Sequence, residues 1–174
     1  MKKKGITIVF TGNGKGKTTA ALGVALRASG RDMKTLMIQF IKEKGQSGEH
    51  NICPAILGNI EIYPFGMGFV FRGDDLRPHI EMAEQAWIFM EQTIKERKFD
   101  ILILDELTIV LNLGLLTIEK VMDFLTRKSD DLHIIITGRD APQELIEFAD
   151  VVTEMTEIKH VYRKGVSAVK GLDY

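Results

Sequence analysis

The 174 residues include a single cysteine, Cys53. One cysteine excludes an intrachain disulfide and any zinc cluster built on cysteine, and a reducing, cytoplasmic setting is expected. Charge of one sign is also missing. The formal net charge is −1, so there is no global electrostatic footprint for nucleic acid or a membrane surface. No apolar run approaches the roughly 20 residues of a membrane span. The basic start, Met1-Lys2-Lys3-Lys4, leads into an apolar run interrupted by Thr7, which reads as a first strand and not a signal peptide. No two histidines have helical metal-ligand spacing, so a transition-metal site is not expected. Internal repeats and low-complexity linkers are absent. The chain is 45% hydrophobic, which suffices for the core of one domain over residues 1–174.

What is there centres on Thr11-Gly12-Asn13-Gly14-Lys15-Gly16-Lys17-Thr18-Thr19. It follows the apolar run Ile6–Phe10 and precedes an amphipathic run, Ala20–Ser29. Strand, glycine-rich turn, Gly-Lys-Thr and helix form the layout of a phosphate-binding loop. Glycines let the backbone turn its N–H groups toward phosphate oxygens. A helix starting near Lys17 adds the positive end of its dipole. Lys17 is placed to reach the outer phosphates, and the Thr18 hydroxyl to ligate Mg²⁺. One departure stands out. The general pattern opens with glycine where this chain has Thr11, and the glycines fall at Gly12, Gly14 and Gly16.

The rest of the chain alternates strands and helices. Gly30 is a candidate C-cap. Lys34–Ile41 reads as a buried strand, residues 42–58 as a mobile polar loop, and Asn59–Phe65 as a third strand. A glycine-bounded aromatic loop, Gly66–Gly73, comes next. Pro78–Lys98 is a long helix, with Ala83, Ala86, Trp87, Met90 and Ile94 on one face. Ile101–Leu104 is a strand, and Thr117–Arg127 a helix with Ile118, Val121, Met122 and Leu125 inward. His133–Ile136 is a strand ending at Thr137-Gly138-Arg139. Asp140 reads as an N-cap, with Pro142 in the first turn and Gln143 completing a capping box. Val151–Met155 is a last strand, before a tail too short for another unit. Strands apolar throughout, separated by helices, predict an α/β fold: a mostly parallel sheet flanked by helices. Ligands in such sheets bind beyond the carboxyl ends of the strands.

Ile101–Glu106 ends one of those strands in the Walker B pattern. Asp105 or Glu106 would hold Mg²⁺, directly or through water. An apolar run ending in Asp-Glu is also a common solvated strand end; the phosphate loop favours the metal reading. Arg139 sits on the same rim, where it could contact phosphate or ribose, or pair with Asp140 or Glu144. Phe69 and Phe71 either line an apolar ligand site or plug the core. His50 reads as a surface residue, and Trp87 as core.

Together these segments resemble the P-loop corrinoid adenosyltransferases, ATP:cob(I)alamin enzymes with a RecA-like fold. The match rests on residues 11–19, Gln39-Phe40-Ile41-Lys42, Gly66–Phe71, Leu104-Asp105-Glu106 and Thr137-Gly138-Arg139, then Ala149–Met155, Lys159-His160, Gly165 and Gly171. The Thr11 departure is part of that resemblance. It implies transfer of the 5′-deoxyadenosyl group of ATP to Co(I), with release of triphosphate. Gly12, Asn13, Gly14, Lys15, Gly16, Lys17, Thr18, Thr19 and Arg139 would then bind ATP. Thr18, Asp105 and Glu106 would hold Mg²⁺. Met67, Phe69 and Phe71 would meet the corrinoid, which could be cobalamin, cobinamide or cobyrinic acid a,c-diamide. Lys17, Phe69 and Phe71 would be the catalytic side chains. The aromatics correspond to residues that displace the corrinoid's lower axial ligand, and Phe71 stands where the family often has Trp. A flavodoxin-like reductase and a homodimer are implied as partners. Many relatives also carry a longer N-terminal segment that helps cover the site; only five residues precede the first strand here, so that cover is expected either to be absent or to come from a dimer partner. Without the resemblance, a P-loop ATPase or small-molecule kinase, or a nucleotide-binding module without catalysis, fits the phosphate loop equally.

Overall fold

The computed structural model describes residues 5–51, 58–68, 70–71 and 73–174. Cys53 and Phe69 lie outside them. In chain order the elements are β1 (Thr7–Thr11), α1 (Lys17–Ser29), β2 (Thr35–Gln39), β3 (Ile60–Pro64), α2 (Arg77–Glu96), β4 (Ile101–Asp105), α3 (Leu107–Asn112), α4 (Ile118–Arg127), β5 (His133–Thr137), α5 (Gln143–Phe148) and β6 (Val151–Glu154). A short 3₁₀ turn, Val161–Lys164, follows.

The six strands form one sheet in the order β3-β2-β4-β5-β1-β6. Every pairing is parallel. Alternate residues feed opposite faces, as the pleat dictates. Leu36, Ile38, Leu102, Leu104, Ile134 and Ile136 join one buried cluster with Trp87, Met90, Val121 and Leu125. Met37, Ile101, Ile103 and Ile135 join another with Ala21, Ala25 and Ala28 of α1. The first layer is anchored by Trp87, fully buried and edge-on to Phe124 at 5.5 Å. Burying such a side chain contributes roughly 1.5–3 kcal/mol. The small alanines of α1 let that helix lie close against the second face.

Several boundaries differ from the expected ones, each for a physical reason. Helix α2 stops at Glu96 because Arg97 is extended (φ −133°, ψ 144°); its guanidinium pairs with Glu61 at 2.9 Å and lies over Phe99. Asp140 does not cap α5. The N-cap is Pro142, with no side-chain capping bond. Asp140 instead adopts φ 50°, and its carbonyl accepts from Asn112 Nδ2 at 3.0 Å. Docking of this turn onto α3 overrides the local capping pattern. The strand β6 is exposed along its length, because it forms an edge of the sheet. Helix α3 has no counterpart among the expected elements. No helix among the described residues is long and apolar enough to cross a membrane.

Candidate active site

Register brings the site together. Gln39 pairs with Asp105 across β2 and β4, and Leu104 with Ile136 across β4 and β5. Gln39, Asp105 and Thr137 therefore form a polar row at three adjacent strand ends. All three are fully buried. Strand β5 separates β4 from β1, so the phosphate loop does not adjoin Asp105 through the sheet. Helix α1 closes that gap: Thr18 Oγ1 donates to Asp105 Oδ1 at 2.8 Å. Thr137 Oγ1 donates to the same oxygen at 2.7 Å and accepts from the Glu106 amide at 2.9 Å. Gln39 Nε2 donates to Asp105 Oδ2 at 3.1 Å.

The chain then turns sharply. Glu106 sits at φ 62°, a left-handed conformation that costs a non-glycine residue of order 1 kcal/mol and tends to mark functional sites. Burial, then repulsion from Asp105, pushes the Glu106 carboxyl above its ordinary range. A half-buried carboxylate beside a second, buried one is an arrangement that a cation stabilises. Across the rim, Gly138 is at φ 137°, and a β-carbon there would lie 2.2 Å from Thr108 Oγ1. That hydroxyl donates to the Arg139 carbonyl at 2.6 Å. The Arg139 backbone is thus fixed, while its side chain is exposed at the rim.

Gly16 caps α1 at φ 113°, and the helix begins at Lys17 as its sequence indicates. Lys17 is buried and folds back onto its own loop, donating to the carbonyls of Gly12 and Gly14, both at 2.7 Å. Burial holds it below the ordinary lysine value, against the opposing pull of Glu106. Gly12 and Gly14 are buried, whereas Asn13, Lys15 and Thr19 are exposed. Not every loop amide faces inward: Gly14 N–H donates to Met155 O at 2.7 Å.

A second cation lies beside the row. Lys42 Nζ is 2.8 Å from Glu49 Oε1 and 3.6 Å from Asp105 Oδ2. Burial opposes its charge, but Asp105 and the bond to Glu49 outweigh burial and leave Lys42 above the ordinary lysine value. The loop expected to be mobile is pinned here in its described part. Gly45 N–H donates to His50 Nδ1 at 3.0 Å, so His50 Nε2 carries the proton and donates to Gln39 Oε1. His50 is therefore a half-buried link to the polar row and not a surface residue. Gln39, Lys42, Glu49, His50 and Thr137 had no assigned role in the sequence. Gln39 and Thr137 carry a usable signal, since each is a polar residue closing an apolar strand.

The aromatic loop opens the same edge of the sheet. Phe71 is 70% exposed, which rules out a core plug. It borders a cavity of about 370 Å³ with Val70, Leu76 and Leu113. Asp74 holds the turn by accepting from Phe71 N–H at 2.7 Å. Met67 is exposed as well.

The family ATP:corrinoid adenosyltransferase BtuR/CobO/CobP matches residues 3–174. The chain belongs to this family. A corrinoid adenosyltransferase of Sinorhizobium is 36% identical over 99% of the chain and 81% of the relative. One from Escherichia coli K12 is 36% identical over 99% of the chain and 87% of the relative. The corrinoid adenosyltransferase CobA of Salmonella typhimurium is 34% identical over the same shares.

Proposed function

We propose that the protein transfers the 5′-deoxyadenosyl group of ATP to the cobalt of a reduced corrinoid. The observation that carries this reading is the family match across residues 3–174. The cobalt–C5′ bond forms as the C5′–O5′ bond breaks. Co(I) supplies both electrons and is oxidised formally to Co(III), and triphosphate leaves. Reduced cobalt is itself a strong nucleophile, so no Ser, Cys or His nucleophile and no general base is needed. The protein's work is alignment and stabilisation of the leaving group.

Lys17, now turned onto Gly12 and Gly14, would swing to the triphosphate, and Arg139 would reach it from the rim. Thr18, Asp105 and Glu106 suit Mg²⁺, which prefers a few hard oxygen ligands completed by phosphate and water. Bound there, Mg²⁺ would supply charge against the departing triphosphate. Asp105 spends both oxygens on Thr18, Thr137 and Gln39. It is therefore best suited to act through Thr18 or a water, leaving Glu106 as the direct carboxylate. Phe71, with Phe69, would press on the lower face of the corrinoid and displace its axial base. That makes Co(II) easier to reduce by a flavodoxin-like donor. A homodimer is the assembly we assign; the uncovered edge strand β6, with Val151 and Val152 exposed, is the surface that favours it.

Phosphorus NMR of the products tests the reading. The protein is incubated anaerobically, in dim light, with Mg-ATP and chemically reduced cobalamin. Triphosphate with a light-sensitive cobalt–carbon product is the expected result. ADP and phosphate with unchanged corrinoid would mean an ATPase or kinase.

A further inference from the structure

Three consecutive residues of the phosphate loop are bonded to one distant segment. Asn13 Oδ1 accepts from Glu157 N–H at 3.1 Å. Gly14 N–H donates to Met155 O at 2.7 Å. Lys15 Nζ donates to Leu172 O at 2.6 Å and forms an ion pair with Asp173. The approach is close as well as bonded. A β-carbon at Gly12 would lie 2.5 Å from Met155 O, and one at Gly14 2.7 Å from it. These glycines leave room for residues 154–156 on the outside of the loop. The Thr11 departure fits the same scheme. Its carbonyl accepts from Met155 N–H at 2.8 Å, and its hydroxyl accepts from Ala141 N–H at 3.1 Å. A glycine there would lose the second tie.

Asp173 is held for this task. Its other oxygen accepts from Val169 N–H at 2.7 Å, and its amide donates to Val169 O at 2.9 Å. Lys15, then Val169, holds its carboxyl below the ordinary range. Asp173 meets the loop through Lys15, whose side chain is exposed.

We infer that Asp173 is a positioning residue for the phosphate loop, docking residues 155–173 so that the loop is formed before its ligand arrives. This rests on reading the loop as a triphosphate site. A ligand that needs the formed loop binds only the docked fraction, so its apparent affinity falls in proportion to that fraction. The step at C5′ in the bound complex is unaffected.

Calorimetric titration of the full chain with magnesium triphosphate, and separately with Mg-ATP, tests this. Asp173→Asn should weaken both by about 2–5-fold, the size of a partly exposed ion pair. Asp173→Glu should recover most of the loss. In turnover, the KM for ATP should rise by the same factor with kcat within about twofold. Hydrogen exchange at Gly14 and Glu157 should slow when triphosphate binds the unaltered chain. Equal binding by the unaltered chain and Asp173→Asn, or a fall in kcat alone, overturns the positioning role. An unaltered chain that binds neither probe overturns the triphosphate reading itself, and the positioning role with it.

Discussion

Loop 11–19 and loop 66–73 lie at the same edge of the same sheet and are built in opposite ways. The phosphate loop is tied on its inner side by Lys17 and Thr18 and on its outer side by residues 155–173. The aromatic loop is tied by its backbone, through Gly66 and Gly68 amides to the carbonyls of Lys42 and Ile41, and leaves Phe71 in solvent. The difference matches the ligands proposed for each loop. A triphosphate is small and highly charged, and a loop whose backbone is already held suits it, with the Lys17 side chain left to turn toward it. A corrinoid is broad and mostly apolar on its face, and an exposed ring that packs only on arrival suits it.

The sharpest way to break this contrast is Lys17→Ala. Removing the one buried cation of the loop should lower turnover on the order of 10²–10³-fold, as loss of a transition-state donor does. Steady-state kinetics with reduced cobalamin measures it, and near-normal turnover would remove Lys17 from the leaving-group role. Next in size is Phe71→Ala, which acts on the open loop. Cobalamin turnover should fall about tenfold, the size of a lost apolar contact. Cobinamide, which has no lower base to displace, should change far less. Equal losses would reduce Phe71 to packing, and thermal unfolding should barely move either way. Gly138→Ala probes the braced side through stability. Positive φ and the short approach to Thr108 should cost roughly 1–3 kcal/mol, read by denaturant unfolding. The smallest effect is in pH. Burial holds His50 below the ordinary histidine value. The folded state therefore favours the neutral ring. Its contribution is complete above about pH 6.5 and is lost as pH falls through the folded value. His50→Gln should flatten the stability profile below that pH, and an unchanged profile would show that His50 is not the group responsible.

The sequence disclosed what is local and missed what is assembled. The β1–loop–α1 unit is legible because glycines, Lys17-Thr18 and helical periodicity lie within one short stretch. The central strands are legible because burial on both faces leaves them apolar throughout. Gln39 to Lys42 fall on the ligand rim by sequence position alone, but Gln39 gains its partner, and Thr137 joins the site, only when parallel register sets them beside Asp105. Asp140 carried a sound local capping pattern that contacts from Thr108 and Asn112 to this turn overrode. Helix α3 is one short turn-and-a-half inside an apolar stretch, with no cap to announce it. The hold of residues 155–173 on the loop was invisible, since those residues show no apolar period and their partners lie more than a hundred positions away.

Strand β1 has a consequence for how the chain is made. Both of its neighbours, β5 and β6, come from residues 133–154, and the outer bonds of its loop come from 155–173. A nascent chain leaving the ribosome has the nucleotide motif in hand first, yet has nothing to pair it with until almost the whole polypeptide has emerged. Such widely separated contacts form slowly. A chain that stops before residue 133 thus carries the full motif but lacks the strands and bonds that hold it in place.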